Sequence, residues 1–360
     1  MATQKIPGRA IKLGTDTTGD ITYFDGAAWR RLPIGEPGQY LTMNAAGTLP
    51  EWFKFVYGGT QFGYAMMGLN VTATNTVDKW SFTSDTNAVD HCDAFAANSH
   101  NSCCRSDTHG YSNGGEPVPI TNRITKFAFA STADGTDVAD LLLTLGSQSG
   151  NSSGTYGYCC GGNTVSNIPS QLVNDTIQKY SITADLNATD VGNLTVAKLL
   201  TVSANSETHG YTMGGGNSVA PPDIVTSDVI ENFPFATDTN STDVSNLTVD
   251  RYSGAGCSSE TYGYTCGGTR YGNPGVPSGF FTDVIDKFLF ATGADATDVG
   301  NLTLPNGNMG GSSSTTNGYV IGGYINYIDR IDKFSFATDG NASDIANLTL
   351  GRDNNDGTQN

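Results

Sequence analysis

Apolar and polar residues alternate with a period of two in six short stretches of this 360-residue chain, and the six share one wording. The clearest runs from Ile331 to Leu350, IDKFSFATDGNASDIANLTL. Its alternation is strictest at Phe334 and Phe336, a Thr-Asp-x-Asn turn follows, and a short apolar segment ends in Asn-Leu-Thr. Copies open at Ile285, Ile230, Ile177 and Ile124, and the most diverged opens at Val77. Period-two runs bounded by turn residues predict strands, and no long amphipathic stretch predicts a helix.

Ahead of each copy stands a second signature, Gly-Tyr-x-x-Gly-Gly. It begins at Gly110, Gly157, Gly210, Gly263 and Gly318, with a worn first copy, GYAMMG, at Gly63. The successive offsets are 47, 47, 53, 53 and 55 residues. A variable segment, such as Asn246 to Thr261, precedes each signature. One unit therefore predicts four short strands: the variable one, the Gly-Tyr strand, the Ile-x-Lys-Phe strand and the Asn-Leu-Thr strand. A single four-stranded sheet of this size leaves both faces wet, whereas six stacked around an axis bury them. The paired glycines suit close backbone packing or positive φ at a strand end. The tyrosine suits a place between blades, its hydroxyl satisfied near the edge. The expected fold is all-β, a six-bladed propeller.

At these residues the chain resembles the kelch-type repeat: a double glycine, an aromatic strand and a polar turn after it. Asp250-Arg251-Tyr252 ahead of Gly263 resembles the arginine-bearing first strand of that repeat. The fourth-strand tryptophan of the family is replaced by Leu194, Leu247, Leu302 and Leu348. The resemblance covers residues 56 to 350 and implies a six-bladed kelch-like propeller. The expected division is a β-rich attachment or oligomerisation segment at 1–50, the propeller at 51–350 and a polar tail at 351–360. The first strand of blade one must come from Glu51 to Gly59 or from the tail. WFKFVYGG from Trp52 reads well as a strand and GRDNNDGTQN does not, so closure by the N-terminal segment is expected.

Residues 1–50 lack the repeat and are too few to hold a core alone. From Gly19 to Trp52 they resemble the small β-rich module of phage tail fibres and related virion appendages. The matching residues are Gly19, Asp20, Ile21, Tyr23, Gly26, Trp29 and Leu32, then Pro37, Gly38, Gln39, Leu41, Thr42, Asn44, Gly47, Pro50 and Trp52. The resemblance implies a virion structural protein, a tail fibre or surface appendage, exposed on the particle after assembly in the host cytoplasm. It also implies virion-protein partners through residues 1–50, a homotrimer of the fibre type, and propeller loops that bind a host-surface glycan or protein. MATQKIPGRAIKLG lacks the apolar core of a signal peptide, which the virion reading accommodates. Two alternatives stay open: a virion-associated glycan depolymerase or hydrolase on the same scaffold, and a purely structural capsid or tail decoration.

Composition narrows this further. A net charge of -17 with 18 basic residues argues against nucleic-acid binding. No apolar run reaches membrane-spanning length. Cys160 and Cys266 share a column with Met66, Met213 and Ile321, which reads as a buried apolar position. The other cysteines (Cys92, Cys103, Cys104, Cys159, Cys257) fit no disulfide framework. Asn-x-Ser/Thr triplets, as at Asn193, Asn246, Asn301 and Asn347, read as strand structure.

Candidate chemistry is sparse. His109 and His209 share a column with Phe62, Tyr156, Tyr262 and Asn317, which suits packing. His91, Cys92, His100, Cys103 and Cys104 cluster locally, without the spacing of a closed zinc site. The repeated turns Asp185/Asn187/Asp190, Asp238/Asn240/Asp243 and Asp339/Asn341/Asp344 could offer oxygens to Ca²⁺, or cap their own backbone. Lys79, Lys126, Lys179, Lys287 and Lys333, with Asn232 as the exception, read as solvated strand positions. The expectation is a non-enzyme with no catalytic, cofactor-binding or metal residues. The variable linkers (92–108, 200–208) and insertions (163–176, 217–229, 269–284) carry the binding surface.

Overall fold

The structure, a computed structural model, describes residues 17–35, 39–44, 47–53, 57–116, 120–164, 173–220, 223–271 and 280–360. The chain divides into two compact units, Met1–Phe55 and Val56–Asn360.

The first unit is built from two antiparallel hairpins, Ile21–Phe24 with Trp29–Leu32 and Tyr40–Met43 with Pro50–Phe53. Its wording is consumed by local turn chemistry. Asp25 accepts hydrogen bonds from the Ala27 and Ala28 amides, and Asn44 Oδ1 from the Thr48 and Leu49 amides. Trp52 Nε1 donates to the Pro33 carbonyl at 2.6 Å.

The second unit is a propeller of six four-stranded antiparallel sheets. Blade 2 shows the plan: Ser102–Arg105, His109–Asn113, Arg123–Ala128 and Thr136–Asp140, paired in that order. The Gly-Tyr glycine pairs with the first aromatic of the third strand, as Gly110 with Phe127 and Gly318 with Phe334. That ring lies flat on the glycine, so a Cβ on Gly318 would sit 2.3 Å from Phe334. The next residue, tyrosine, reaches into the following blade. Tyr64 stacks on Phe129, Tyr158 on Phe235, and Tyr264 on Phe336, at centroid distances of 4.9 to 5.1 Å. The hydroxyls of Tyr111 and Tyr211 donate to the Ile182 and Phe290 carbonyls of the next blade. The double glycines turn the strand end with positive φ at both positions, 58° and 109° at Gly267 and Gly268. Cys160 and Cys266 are fully buried, as their column implies.

Closure differs from expectation. The first strand of blade one is Asp356–Gln359, in register with Phe62–Asn70. Pro50–Phe53 instead pairs within its own hairpin, and Phe55 lies outside the described residues. The tail read as a polar appendage is therefore the closing strand. Its polarity suits the place, because the first strands line the axis and Thr358 and Gln359 are buried in hydrogen bonds.

Two columns hold neighbouring blades together. The lysine of one third strand pairs with the turn aspartate one blade on: Lys126–Asp185, Lys179–Asp238, Lys287–Asp339 and Lys333–Asp85, at 2.5 to 2.8 Å. The turn asparagine accepts a backbone N–H from the preceding blade, as Asn240 from Asn193 and Asn341 from Asn301. The acidic turns are thus clasps between blades, and the lysines are their partners. Where blade 4 has Asn232 in place of lysine, blade 5 has Gly293 in place of aspartate. These pairs are half-exposed and each contributes no more than about 1 kcal/mol.

The second column is buried. Four residues after the fourth-strand leucine come Lys198, Arg251 and Arg352, and these pair with Glu231, Asp286 and Asp78 on the third strand of the next blade. Both members of Arg251–Asp286 and Arg352–Asp78 are fully buried. The same carboxylates accept from the threonine of Asn-Leu-Thr, as Asp286 from the Thr248 amide and hydroxyl. Where the column holds Leu145, its partner is neutral Gln178, which takes the equivalent Leu142 amide. A lone buried charge costs about 3–5 kcal/mol, whereas a matched neutral pair avoids that loss. Arg251→Leu should therefore destabilise the protein by about 3–5 kcal/mol in urea unfolding. Arg251→Leu with Asp286→Gln, which reproduces the Leu145/Gln178 pair, should recover most of the loss. A double variant no better than the single one would contradict the pairing.

Candidate functional site

The linker residue two places beyond the buried column adopts a left-handed conformation in every blade. His100, Ser147, Leu200, Ser253, Asn308 and Asn354 have φ between 47° and 57°. Each donates its backbone N–H to the carbonyl of the one before: Ser147 to His100, Leu200 to Ser147, Ser253 to Leu200, Asn308 to Ser253, Asn354 to Asn308 and His100 to Asn354. The distances are 2.7 to 3.0 Å, and the chain of bonds closes on itself. This ring frames one mouth of the axial channel.

A second ring surrounds it. The residue after each double glycine donates its amide to the linker residue just before the left-handed one. Glu116 bonds Ser99, Asn163 bonds Gly146, Gly216 bonds Leu199, Thr269 bonds Tyr252 and Tyr324 bonds Gly307, at 2.8 to 3.0 Å. The repeated glycines thus fix the backbone, and the variable residue after them becomes the rim. Glu116 Oε1 there accepts from Asn163 Nδ2 at 3.0 Å and Ser147 Oγ at 3.2 Å.

Inside the mouth lies a cavity of about 90 Å³ whose lining includes His100, Ser147, Gln148, Thr201, Ser253, Asn308, Asn355 and Asp356. Glycines at Gly150, Gly256, Gly311 and Gly357 let the first strands crowd together along it; a Cβ on Gly256 would lie 2.0 Å from the Ser203 carbonyl. At the far ends of these strands Tyr57 offers its carbonyl to Arg105 Nη1 and Gln359 Nε2. Several buried polar atoms of the lining have no protein partner: Asn101 Oδ1, Gln148 Oε1, Ser253 Oγ and both ends of the Asn355 amide. Buried polar atoms are ordinarily hydrogen-bonded, so this unpartnered group sets the lining apart from the rest of the core.

Asp356 is the one carboxylate among the described lining residues. Its oxygens accept from the Cys103 amide at 2.6 Å and the Gly357 amide at 2.8 Å. Burial outweighs these bonds and pushes the carboxyl up to about 7. At the mouth, burial lowers the His100 imidazole below its ordinary value, against the pull of Glu116 and Asp353. Burial likewise raises the Asp353 carboxyl, opposed by His100.

The residues singled out in the sequence fare unevenly. His100 and Cys103 reach the channel, whereas His91 sits edge-on to Tyr64, its Nε2 within 3.3 Å of the Ala128 carbonyl oxygen. His109 and His209 each contact a preceding threonine and tilt against Tyr111 and Tyr211. Among the described residues no three His, Cys, Asp or Glu side chains are grouped to hold a metal ion. Asp356 and the left-handed ring were not singled out, although the ring lies at a constant offset from the Arg251 column.

No family model and no curated protein matches the sequence. Among solved structures the fold is similar to one described as "Structure of YjhT", with a TM-score of 0.58 and 10% identity over 74% of this chain and 92% of that one. The likeness is one of fold, and it corrects the expectation drawn from residues 1–50. The tail-fibre resemblance rests on hairpin wording that local turn chemistry explains, while the propeller that forms most of the chain finds its likeness in YjhT. The reading as a non-enzymatic virion appendage, with virion partners, trimeric assembly and a particle-surface location, is withdrawn on that match.

Asp356 also leaves a signature in stability. Its folded value lies above the unfolded value of about 4, so its contribution is full below pH 4 and is lost as pH rises through 7. Across that window the stability of the wild type relative to Asp356→Asn should fall by about 1.4 kcal/mol per pH unit. Parallel profiles for the two proteins in urea unfolding would contradict this placement of the carboxyl.

Proposed function

We propose that the protein is an enzyme acting on a hydroxyl-rich, carbohydrate-type substrate at the axial mouth, with Asp356 exchanging the proton. The observation that carries this reading is a channel walled by Asn, Gln, Ser and Thr side chains with one carboxyl in its described lining. Sugar hydroxyls donate and accept in turn, and they match a wall built from Asn, Gln, Ser and Thr. A carboxyl held near 7 suits general acid–base work, because both of its forms are populated at neutral pH. The fold match to YjhT supports the propeller scaffold on which this reading rests.

The chemistry follows from the fixed positions. The Cys103 and Gly357 amides hold both Asp356 oxygens in place, so proton transfer to or from a sugar oxygen needs no rearrangement of the acid.

Turnover of glycosides and free sugars should show a limb near pH 7. Asp356→Asn should lower kcat by about 100-fold or more and leave ligand binding intact. Wild-type turnover in the Asn variant, with an unchanged pH profile, would exclude Asp356 as the acid or base.

A further inference from the structure

At the end of the channel away from the mouth, the last residues of the six first strands form a belt. In order round the axis they are Arg105, Ser152, Asn205, Ser258, Ser313 and Gln359. Each amide donates to the side chain of the next blade: Arg105 to Ser152 Oγ, Ser152 to Asn205 Oδ1, Asn205 to Ser258 Oγ, Ser258 to Ser313 Oγ and Ser313 to Gln359 Oε1. The distances are 2.8 to 3.3 Å. The sixth step, from Gln359 back to Arg105, meets a side chain that has no acceptor. There the segment ahead of blade one enters. The Tyr57 carbonyl accepts from Arg105 Nη1 at 2.6 Å and from Gln359 Nε2 at 2.9 Å, bridging the gap.

The entering segment is wedged against the closing strand. The Gly59 amide donates to the Ser313 carbonyl at 2.7 Å, and the Thr60 and Gln61 amides both donate to the Asn360 carbonyl. Gly58 and Gly59 run so close to Ser314 and Asn360 that a Cβ on either would lie 2.6 Å from a carbonyl oxygen. Gln359 and Asn360 continue the strand that begins at Asp356, so the segment grips the element that carries the acid. Tyr57 also lines the cavity together with Asp356 and Cys103. Burial first, and then the charge of Asp356, push the Tyr57 phenol above its ordinary value.

We propose that Tyr57 and Arg105 are positioning residues for Asp356: they complete the belt, close the channel at this end and keep water from reaching the carboxyl from behind. The inference rests on the proposed function for the role of Asp356 and adds what holds that residue in its working state. The titratable groups facing the carboxyl are the Cys103 thiol on the first strand of blade 2 and the Tyr57 phenol. Blade 6 presents Gly310 and the paired strand of blade one presents Met66, and neither titrates. Burial is the largest influence on Asp356, so opening the far end to water acts on it directly and in one direction, downward.

The test compares pH profiles of the full-length protein. Arg105→Ser places in blade 2 the residue that blades 3, 5 and 6 already carry, and it removes the guanidinium from the Tyr57 carbonyl. In this variant the turnover limb near pH 7 should move down by about one pH unit or more. The pH window over which stability changes relative to the same variant with Asp356→Asn should move with it. Arg105→Lys, which keeps a donor for the carbonyl, should hold both near the wild-type position. A merely structural role would lower stability at every pH and leave both positions where they were, and that result in folded Arg105→Ser would overturn the proposal. If Arg105→Ser does not fold, Tyr57→Ala carries the same comparison: it keeps the backbone carbonyl but takes the ring out of the cavity. An unshifted window in that variant would equally overturn the proposal. The stability window needs no substrate, so the two readings fail separately. Parallel wild-type and Asp356→Asn profiles would remove the raised carboxyl and with it both readings, whereas a wild-type window near 7 that Arg105→Ser and Tyr57→Ala leave in place removes the positioning role alone.

Discussion

The closed ring of six backbone hydrogen bonds, made by six residues in left-handed conformation, is the constraint on which the rest of this propeller depends. Each of those residues holds a φ that costs an ordinary side chain of order 1 kcal/mol, and the bond from its neighbour offsets that cost only while the neighbour is also in place. The ring is therefore cooperative around the axis: a gap at one blade leaves an amide unpaired at the next. It also forces the six first strands together, which is why glycine recurs at Gly150, Gly256, Gly311 and Gly357. The site follows from the same geometry. Closing the ring leaves the Asn101, Gln148, Ser253 and Asn355 side chains around the channel with polar atoms unspent, and it places Asp356 among them.

Around that axis the blades are joined by matched pairs. Four lysines of one column meet an aspartate of the next blade, Lys79 instead lies over the Phe62 ring with Thr132 at the aspartate position, and a buried cation in a linker meets a buried anion on the following strand. In the blade where the linker offers only Leu145, the strand offers Gln178. Repetition alone does not require this, since each repeat could carry the same pair. The substitutions travel across a blade boundary because an unmatched buried charge is far more costly than either matched arrangement. Asn306 shows the intermediate case: the buried column lacks a cation, and burial raises its facing carboxyl, Asp332, above the ordinary range.

Much of this was legible in the sequence, and the exceptions have physical reasons. The Gly-Tyr and Ile-x-Lys-Phe wording defines the strands because each landmark packs within its own blade or the next, at a fixed register. Leu194, Leu247, Leu302 and Leu348 sit buried where the pattern puts them. The closing strand escaped because strand preference favours apolar, β-branched runs, and Asp-Gly-Thr-Gln faces a polar channel where those preferences do not apply. The signal was nonetheless present: Leu348 precedes Arg352 by the same four residues that separate Leu247 from Arg251. The part the acidic turns play in joining blades escaped because their partners lie a blade away, out of reach of any reading of one unit, although Asp190 also accepts from its own Gly192 amide as a capping turn would. The wording of residues 17–53 suggested a biological setting, whereas Asp25, Asn44 and Trp52 show it to be the grammar of two hairpins.

The candidate site was hidden for a related reason. Its rim residues stand one position beyond the repeated glycines and its ring residues two beyond the buried column, where the sequence varies because the backbone alone is fixed. The motif builds the frame, and the rim residues Glu116, Asn163, Thr269 and Tyr324 individualise it. Amide hydrogen exchange at His100, Ser147, Leu200, Ser253, Asn308 and Asn354 tests the central claim most directly. If the ring is one cooperative closure, these six amides exchange together, at the rate of global unfolding. Exchange at widely separated rates, with some of the six opening while the others stay protected, would contradict it.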